Sequence, residues 1–341
     1  MPLSFIIPGV RSSPAERLLM GLVPASHRDG RVASSLRRGL RVLSWCVGAC
    51  ALAYAVQIVL LLVAFRAVGE RCWLLWPALF VPPQISLLPL CVLLPLGLLL
   101  CPGSVIIDGF VLFLVVFVYM GFRWPITPPR GSGPSVSVVT CNVGQRNSAR
   151  LSPFIESQKP DLIVLQDAPH KGRRYARQYR DRYVTEHGEF VLISRFPVRS
   201  SAPVEAVRWR QHPVAARFAV EWDGQPLLIY AVHLPTPRRE LSRIMGVGLI
   251  KEWARAHGWL GADPNDSVAL SLEARPALVR ALCDQIRAEQ APVIVAGDLN
   301  MPHWGYMYKV LTERLWDAYR ECGKGFGFTF PGTSRNPVTL F

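Results

Sequence analysis

The chain has 341 residues, room for about two domains at roughly 100–200 residues each. Half of the residues are hydrophobic, only 18% are charged and the mean hydropathy is +0.24, which excludes a disordered chain and is too apolar for an ordinary soluble enzyme. The net charge of +14 splits into +5 over residues 1–122 and +9 over residues 123–341. The second part has an ordinary soluble composition, and its roughly 210 residues suffice for a hydrophobic core.

Residues 1–41 hold seven Arg and two acids, a bias that predicts a cytoplasmic N-terminus. That leader is too long and too charged for a cleavable signal. Val42–Phe65 is a 24-residue run without a charge, long enough to cross a bilayer as a helix. Cys72–Ile107 is an uncharged run of 36 residues, too long for one crossing, so it must fold back at Cys101-Pro-Gly-Ser104. Three transmembrane helices are expected, at about 42–65, 73–100 and 104–122, with Pro82-Pro83 kinking the second or marking its interfacial start. Trp73, Trp76 and Trp124 suit the water–lipid boundary. Asp108 reads as a carboxylate at a helix start near that boundary, with an intramembrane role as the alternative. Three crossings place everything after residue 122 outside the cytoplasm and two would place it inside; a stiff Pro/Gly linker over 123–134 joins it to the last span.

From residue 135 short apolar runs alternate with helical spacing. Val136–Cys141, Leu162–Leu165, Phe190–Ile193, Val214–Val220, Leu227–Val232 and Val293–Ala296 read as strands. Arg150–Gln158 and Arg275–Glu289 read as helices, and Asp223-Gly224 as a hairpin turn. The eight cysteines are scattered without a CxxC pair, so neither a zinc site nor a disulfide framework is indicated. The class is therefore α/β: mixed sheets flanked by helices.

Polar residues recur where these strands end: Asn142, Gln166-Asp167, His233, and Asp298 with Asn300. Singly, each has a structural explanation, since Asn and Asp favour turns. Together they would converge on one rim, a usual place for a site. Asp167 and the Asn142 amide oxygen are hard donors suited to Mg²⁺, with Mn²⁺ as the alternative ion. A hard cation polarises a phosphoryl oxygen, Asp298 would orient or deprotonate a water, and His233 would stabilise charge or protonate a leaving oxygen.

The segments Thr140-Cys-Asn142, Pro160-Asp-Leu-Ile-Val-Leu-Gln-Asp167, Ser194-Arg-Phe-Pro197, Ala231-Val-His233-Leu-Pro and Gly297-Asp-Leu-Asn300 resemble, in their order, the endonuclease/exonuclease/phosphatase (DNase I-like) superfamily. Gly325-Phe-Gly-Phe-Thr-Phe330 is similar to its Gly-rich segment before the last strands. The resemblance covers residues 136–341. It implies a two-sheet α/β sandwich and divalent-metal phosphoester hydrolysis. Asn142 and Asp167 would serve the metal, His233 the scissile phosphate or leaving group, and Asp298 and Asn300 the attacking water and the transition state. With the apolar helices in front, the chain also resembles membrane-anchored bacterial members of the superfamily, which points to an extracytoplasmic, lipid-linked phosphate.

Two departures stand out. The family's usual Gln-Glu is Gln166-Asp167 here, and Asp is one methylene shorter. The chain stops at Phe341, before the strand carrying an Asp and the closing Ser-Asp-His that the family implies, so the domain is expected to lack its last strands as a truncated reading of a longer gene. The missing strands would leave an unpaired sheet edge.

Several other features carry competing readings. The basic stretch His170–Tyr183 reads as an amphipathic helix with a stripe of Tyr175, Tyr179 and Tyr183, or as a surface for phosphates, anionic headgroups or single-stranded nucleic acid. Arg238 and Arg239 would clamp a phosphate, or are solvated loop charges. Lys251–Trp259 looks helical, and His303 and Trp304 read as loop structure or as pocket wall. The leading expectation is a membrane-anchored metal-dependent phosphoester hydrolase. The alternatives are a nuclease of the same fold and an inactive membrane-bound domain that binds phosphorylated lipid or a protein partner.

Overall fold

A computed structural model describes residues 13–22, 31–124, 133–144, 151–238, 240–241 and 267–330. Two four-stranded sheets stack face to face. The first has the order β1-β2-β4-β3, from β1 (Val138–Asn142), β2 (Leu162–Gln166), β3 (Tyr183–His187) and β4 (Phe190–Ser194). The second has the order β10-β9-β8-β5, from β5 (Val198–Pro203), β8 (Ala215–Trp222), β9 (Gln225–His233) and β10 (Val293–Asp298); β6 (Arg208–Trp209) and β7 (His212–Pro213) form a separate ribbon.

Side chains alternate across each strand, and the alternation makes the layers. Leu162, Val164 and Leu192 turn inward to meet Phe218, Ile229 and Ala231 of the opposite sheet. Ile163, Leu165, Val191 and Ile193 turn outward against α6 (Leu151–Gln158) and α7 (Gly172–Gln178). On the far side Tyr230 and Val232 pack against Leu278, Leu282 and Ile286 of α8 (Ser267–Ala288) and Met307 and Leu311 of α9 (Tyr306–Thr312). The expected strands are all present, each ending one or two residues later than expected, with β1 starting two residues after Val136 and β8 one after Val214; Asp223-Gly224 forms the β8–β9 turn with both φ angles positive. The mixed α/β class with two sheets is as expected.

The Tyr stripe is not. Helix α7 stops at Gln178, Tyr179 already leaves the helix, and Tyr183 opens strand β3 as an exposed residue. Pairing of Tyr183–His187 with β4 overrides the local helical spacing.

The apolar half differs in detail from the expected spans. Helix α2 runs from Arg31 to Ala67, beginning well before Val42. The expected span 73–100 is broken into α3 (Leu75–Leu79), a turn at Phe80–Pro82, a tight turn over Pro83–Leu87 and α4 (Leu88–Leu100). Pro82 and Pro83 cause the break, since proline removes a backbone donor and fixes φ. Two segments, Ala33–Ala67 and Pro83–Leu100, are long and apolar enough to cross a membrane; Ser104–Tyr119, formed by α5 (Ser104–Phe113) and a wider turn over Leu114–Tyr119, is shorter. Asp108 is fully buried where α5 meets Gly97 of α4, away from any helix end.

Contacts tie these helices to the sandwich. Phe65, Trp76, Leu79 and Tyr119 enclose Trp304, whose indole N–H donates to the Leu79 carbonyl at 3.2 Å. Arg123 exchanges backbone hydrogen bonds of 2.8 and 2.9 Å with Gly325, so the start of the expected linker is stitched to the domain; residues 125–132 lie outside the described residues. Phe326 packs edge-on against Phe122, and Phe328 joins the helix cluster of Ile58, Leu90 and Val115. The Gly-Phe-Gly-Phe segment thus packs on the apolar helices.

Candidate active site

Each sheet contains one parallel pair, and both pairs end at the same rim. In β1–β2, Asn142 stands opposite Gln166; in β9–β10, His233 stands opposite Asp298. Stacking the sheets brings the two ends together: Asn142 Nδ2 donates to Asp298 Oδ2 at 2.9 Å and lies 3.4 Å from His233 Nε2. Four residues predicted from strand ends, Asn142, Asp167, His233 and Asp298, therefore share one site.

The backbone is bent to achieve this. Asp167 and Asn300 have φ of 54° and 47°, a left-handed conformation that Asn and Asp tolerate better than most residues. Gly297 admits no side chain, because a Cβ there would sit 1.8 Å from the Val232 carbonyl oxygen. The Gly of Gly297-Asp-Leu-Asn300 thereby allows β10 to close on β9 and set Asp298 beside His233.

His233 is oriented from behind. Its Nδ1 lies 2.9 Å from Glu189 Oε2, at the tip of the β3–β4 hairpin. Burial lowers the affinity of the imidazole for a proton, but the Glu189 hydrogen bond and the charges of Glu189, Asp298 and Asp167 outweigh it and raise the pKa above its ordinary value. Glu189 was not found from sequence. It follows a glycine in a hairpin turn and carries no motif, so the only available signal was an acid between two strands.

Asn142 Oδ1 and the Asp167 carboxylate converge over Gly144. A Cβ on that glycine would lie 1.6 Å from Asp167 Oδ2 and 3.1 Å from Asn142 Oδ1. The Asn142 amide is fixed by its bond to Asp298 and by the Gly144 N–H donating to Oδ1 at 2.9 Å. Among the described residues, no three or more His, Cys, Asp or Glu are arranged to hold a metal ion. One carboxylate and one amide oxygen nevertheless fit a small hard cation such as Mg²⁺, which keeps most of its shell for water and substrate phosphate.

Asn300 sits beside this cluster as a brace. Its N–H donates to Asp298 Oδ1 at 3.1 Å and its Nδ2 to the Leu234 carbonyl at 2.8 Å. Its own carbonyl accepts from Arg275 Nη2 at 2.7 Å. Arg275 is fully buried, which pulls its pKa down to about 10 against the attraction of Glu70, Glu240 and Asp298. Glu70, buried in the turn between α2 and α3, accepts from the Met307 N–H at 3.1 Å. Two buried groups missed by sequence reading thus reach from the apolar helices, through Glu70 and α9, and from α8, through Arg275, to the segments after Asp298. Arg238 is exposed, with its guanidinium 5.7 Å from the centre of the Phe330 ring; Arg239 and the 251–259 segment lie outside the described residues. Trp304 and His303 belong to the helix–domain contact, as the loop reading expects.

Other motif segments are structural. Asp161 accepts from the Ser137 N–H and hydroxyl at 2.9 and 2.6 Å and from Arg195 at 3.0 Å, tying together the opposite end of the first sheet. The Ser194 hydroxyl closes a turn onto Phe196.

The description "Endonuclease/Exonuclease/phosphatase family" belongs to a family model that matches residues 139–340. No curated protein matches the chain. Similar solved structures include a humanized D. rerio TDP2, 17% identical over 54% of this chain and 68% of that one, with a TM-score of 0.35. The human Nocturnin catalytic domain is 16% identical over 55% and 73%, at 0.37. Sphingomyelinase C from Streptomyces griseocarneus is 15% identical over 53% and 70%, at 0.35. The chain spans about two thirds of the length of the first of these. With the matched region covering more than half of its residues, the chain belongs to the endonuclease/exonuclease/phosphatase family.

Proposed function

We propose that the chain is a membrane-anchored, divalent-metal-dependent phosphoester hydrolase whose substrate is a phosphorylated, lipid-linked molecule outside the cytoplasm. The observation that carries the hydrolase reading is the meeting of Asn142, Asp167, His233 and Asp298 at one rim. Asn142 and Asp167 would hold Mg²⁺, with Mn²⁺ as the alternative, and the ion would supply Lewis acidity at a phosphoryl oxygen. Asp298, held by the Asn142 amide and the Asn300 N–H, orients a water and accepts its proton. His233, steadied at Nδ1 by Glu189, presents Nε2 to the phosphate and protonates the leaving oxygen. Its raised pKa keeps a larger protonated fraction near neutrality for that role.

The membrane reading rests on apolar length and on what the helices expose. Trp45, Leu60, Leu88, Ile106 and Phe110 all face outward, a surface far more apolar than water favours. α2, α4 and α5 pack against one another, which supports a bundle of three spans; the outward-facing domain rests on that count and on the basic N-terminus. The loop after Asp298 rests on the α2–α3 turn, so the rim stands close to the apolar helices, as a lipid-linked substrate requires. A nuclease reading draws support from exposed Arg173, Arg174 and Arg177 on α7, shortly after Asp167.

The test uses full-length protein in detergent micelles with Mg²⁺, offered a polyprenyl pyrophosphate, bis-p-nitrophenyl phosphate and plasmid DNA. Hydrolysis of the lipid phosphate is expected, with Asp298→Asn and His233→Ala each slower by about 10²–10⁴-fold. Cleavage of DNA alone would replace the lipid reading by the nuclease one. A folded wild type inactive on all three contradicts the hydrolase reading.

A further inference from the structure

A groove of about 380 Å³ opens at the junction of the apolar helices and the sandwich, apart from the Asn142–Asp298 rim. Arg66, in the last turn of α2, Arg123, just beyond the Leu114–Tyr119 turn, and Lys309 and Arg320 of the domain all line it. Two of these guanidiniums share one aromatic ring: Arg66 lies 5.8 Å and Arg320 6.0 Å from the centre of Tyr308. Glu313, Asp317 and Glu321 line the groove as well. Asp317 is engaged by the Tyr308 hydroxyl and by the backbone N–H groups of Tyr319 and Arg320. Among the described residues, no salt bridge joins Arg66, Arg123 or Arg320 to an acid. Arg123 Nε is buried without a hydrogen-bond partner.

The positive field is felt by a neighbour. His303 is pushed down to about 4, first by burial and then by Arg320, Arg123 and Arg66, with only Asp317 opposing. Like charges gather at such cost where an anion completes the site. The position identifies the anion's source. Arg66 and Arg123 mark the same end of the apolar bundle, where Trp124 (68% exposed) and Trp316 (89% exposed) stand outside the core. Tryptophan at that level is characteristic of the water–lipid boundary. Arginine suits a phosphate there because its planar fork makes paired hydrogen bonds.

We propose that Arg66, Arg123 and Arg320 bind the phosphate of an anionic phospholipid headgroup at the membrane boundary. This inference rests on the membrane reading of the helices and is independent of the hydrolase reading. The bound headgroup would fix the height of the domain over the bilayer.

The test offers full-length protein, in neutral detergent with EDTA to prevent turnover, phosphatidylglycerol or phosphatidylcholine with matched acyl chains. Native mass spectrometry counts the lipid retained. Wild type is expected to retain phosphatidylglycerol about tenfold better, and Arg320→Gln to lose about fivefold of that, at roughly 1 kcal/mol per cation near a charged surface. Arg320 is exposed, so its variant should melt as the wild type does. The combined Arg66→Gln, Arg123→Gln, Arg320→Gln variant should retain the two lipids equally, while the three Arg→Lys changes keep most of the preference. Equal retention of both lipids by wild type, or a preference unchanged in Arg320→Gln, overturns the proposal. Displacement of phosphatidylglycerol by an equal concentration of inorganic phosphate also overturns it, by assigning the site to the free ion. A protein that stays monodisperse without detergent removes the membrane reading and the headgroup site together, whatever its hydrolase activity.

Discussion

Gly144 shows how much one missing methyl group decides. The Asp167 carboxylate occupies the space that any side chain at this position would need, and it does so within reach of the Asn142 amide oxygen. Gly144→Ala is expected to push Asp167 aside while leaving the fold intact, because the clash is with a side chain and not with the sheet. The apparent Mg²⁺ affinity, read from the metal dependence of phosphoester hydrolysis and from calorimetric titration, should fall by about 10-fold or more. An unchanged affinity would show that Asp167 does not serve the metal. The shortened side chain at Asp167 is consistent with this crowding: the carboxylate lies against the backbone of the β1 end, where a longer Glu would have to bend away.

Among the elements, α8 does more than cover a sheet. Its N-terminal half brings Arg275 to the Asn300 carbonyl, and just past its C-terminus Glu289 receives both Arg217 of β8 and the hydroxyl of Tyr230 of β9. The helix is thus fastened to the sheet at both ends. The paired hydrogen bond from Arg217, helped by Tyr230 and opposed by burial, holds the Glu289 carboxyl below its ordinary pKa. A depressed carboxylate contributes stability above its unfolded pKa and loses it as pH falls through the folded value. Wild type should therefore exceed Glu289→Gln by about 1 kcal/mol at neutral pH, after allowance for solvent screening. That margin should begin to shrink as the pH falls below the ordinary glutamate value of about 4.3 and vanish only under the lowered folded value. Chemical denaturation of both proteins between pH 3 and 7 checks this, and a margin independent of pH would contradict the ionic role.

At the scale of the whole molecule, the apolar helices are part of the sandwich domain's packing. Trp304 is enclosed by Phe65, Trp76, Leu79 and Tyr119, and Glu70 provides an opposite charge for the buried Arg275. A chain cut to start at Gly133 would expose the Trp304 surface and leave Arg275 without Glu70. Losing the packing around a buried tryptophan costs about 3–5 kcal/mol, a large part of a typical domain's stability. The shortened protein is expected to aggregate or lose its near-UV circular dichroism, as size-exclusion chromatography and spectroscopy would show. A soluble monomer melting like the intact protein would contradict this integration.

The short apolar runs that form β2, β4, β8 and β9 and the polar residues at their ends were enough to predict mixed sheets and the residues of one rim, while the two-sheet sandwich was implied by the family resemblance. Those signals are local: a strand's faces and its last residue are written in consecutive positions. Register was not, and it is the pairing of Asn142 with Gln166 and of His233 with Asp298 that turns separate strand ends into neighbours. Glu189, Arg275 and Glu70 carry no pattern of their own, so their roles depend on elements far apart in the chain. The same holds for Tyr183, where strand pairing overrode a helical spacing, and for the helices that local apolar length identified but could not dock. Local apolar runs therefore determined the strands and the apolar helices, while contacts between distant segments, which no local window contains, decided how they stack, the site and its coupling to the apolar helices.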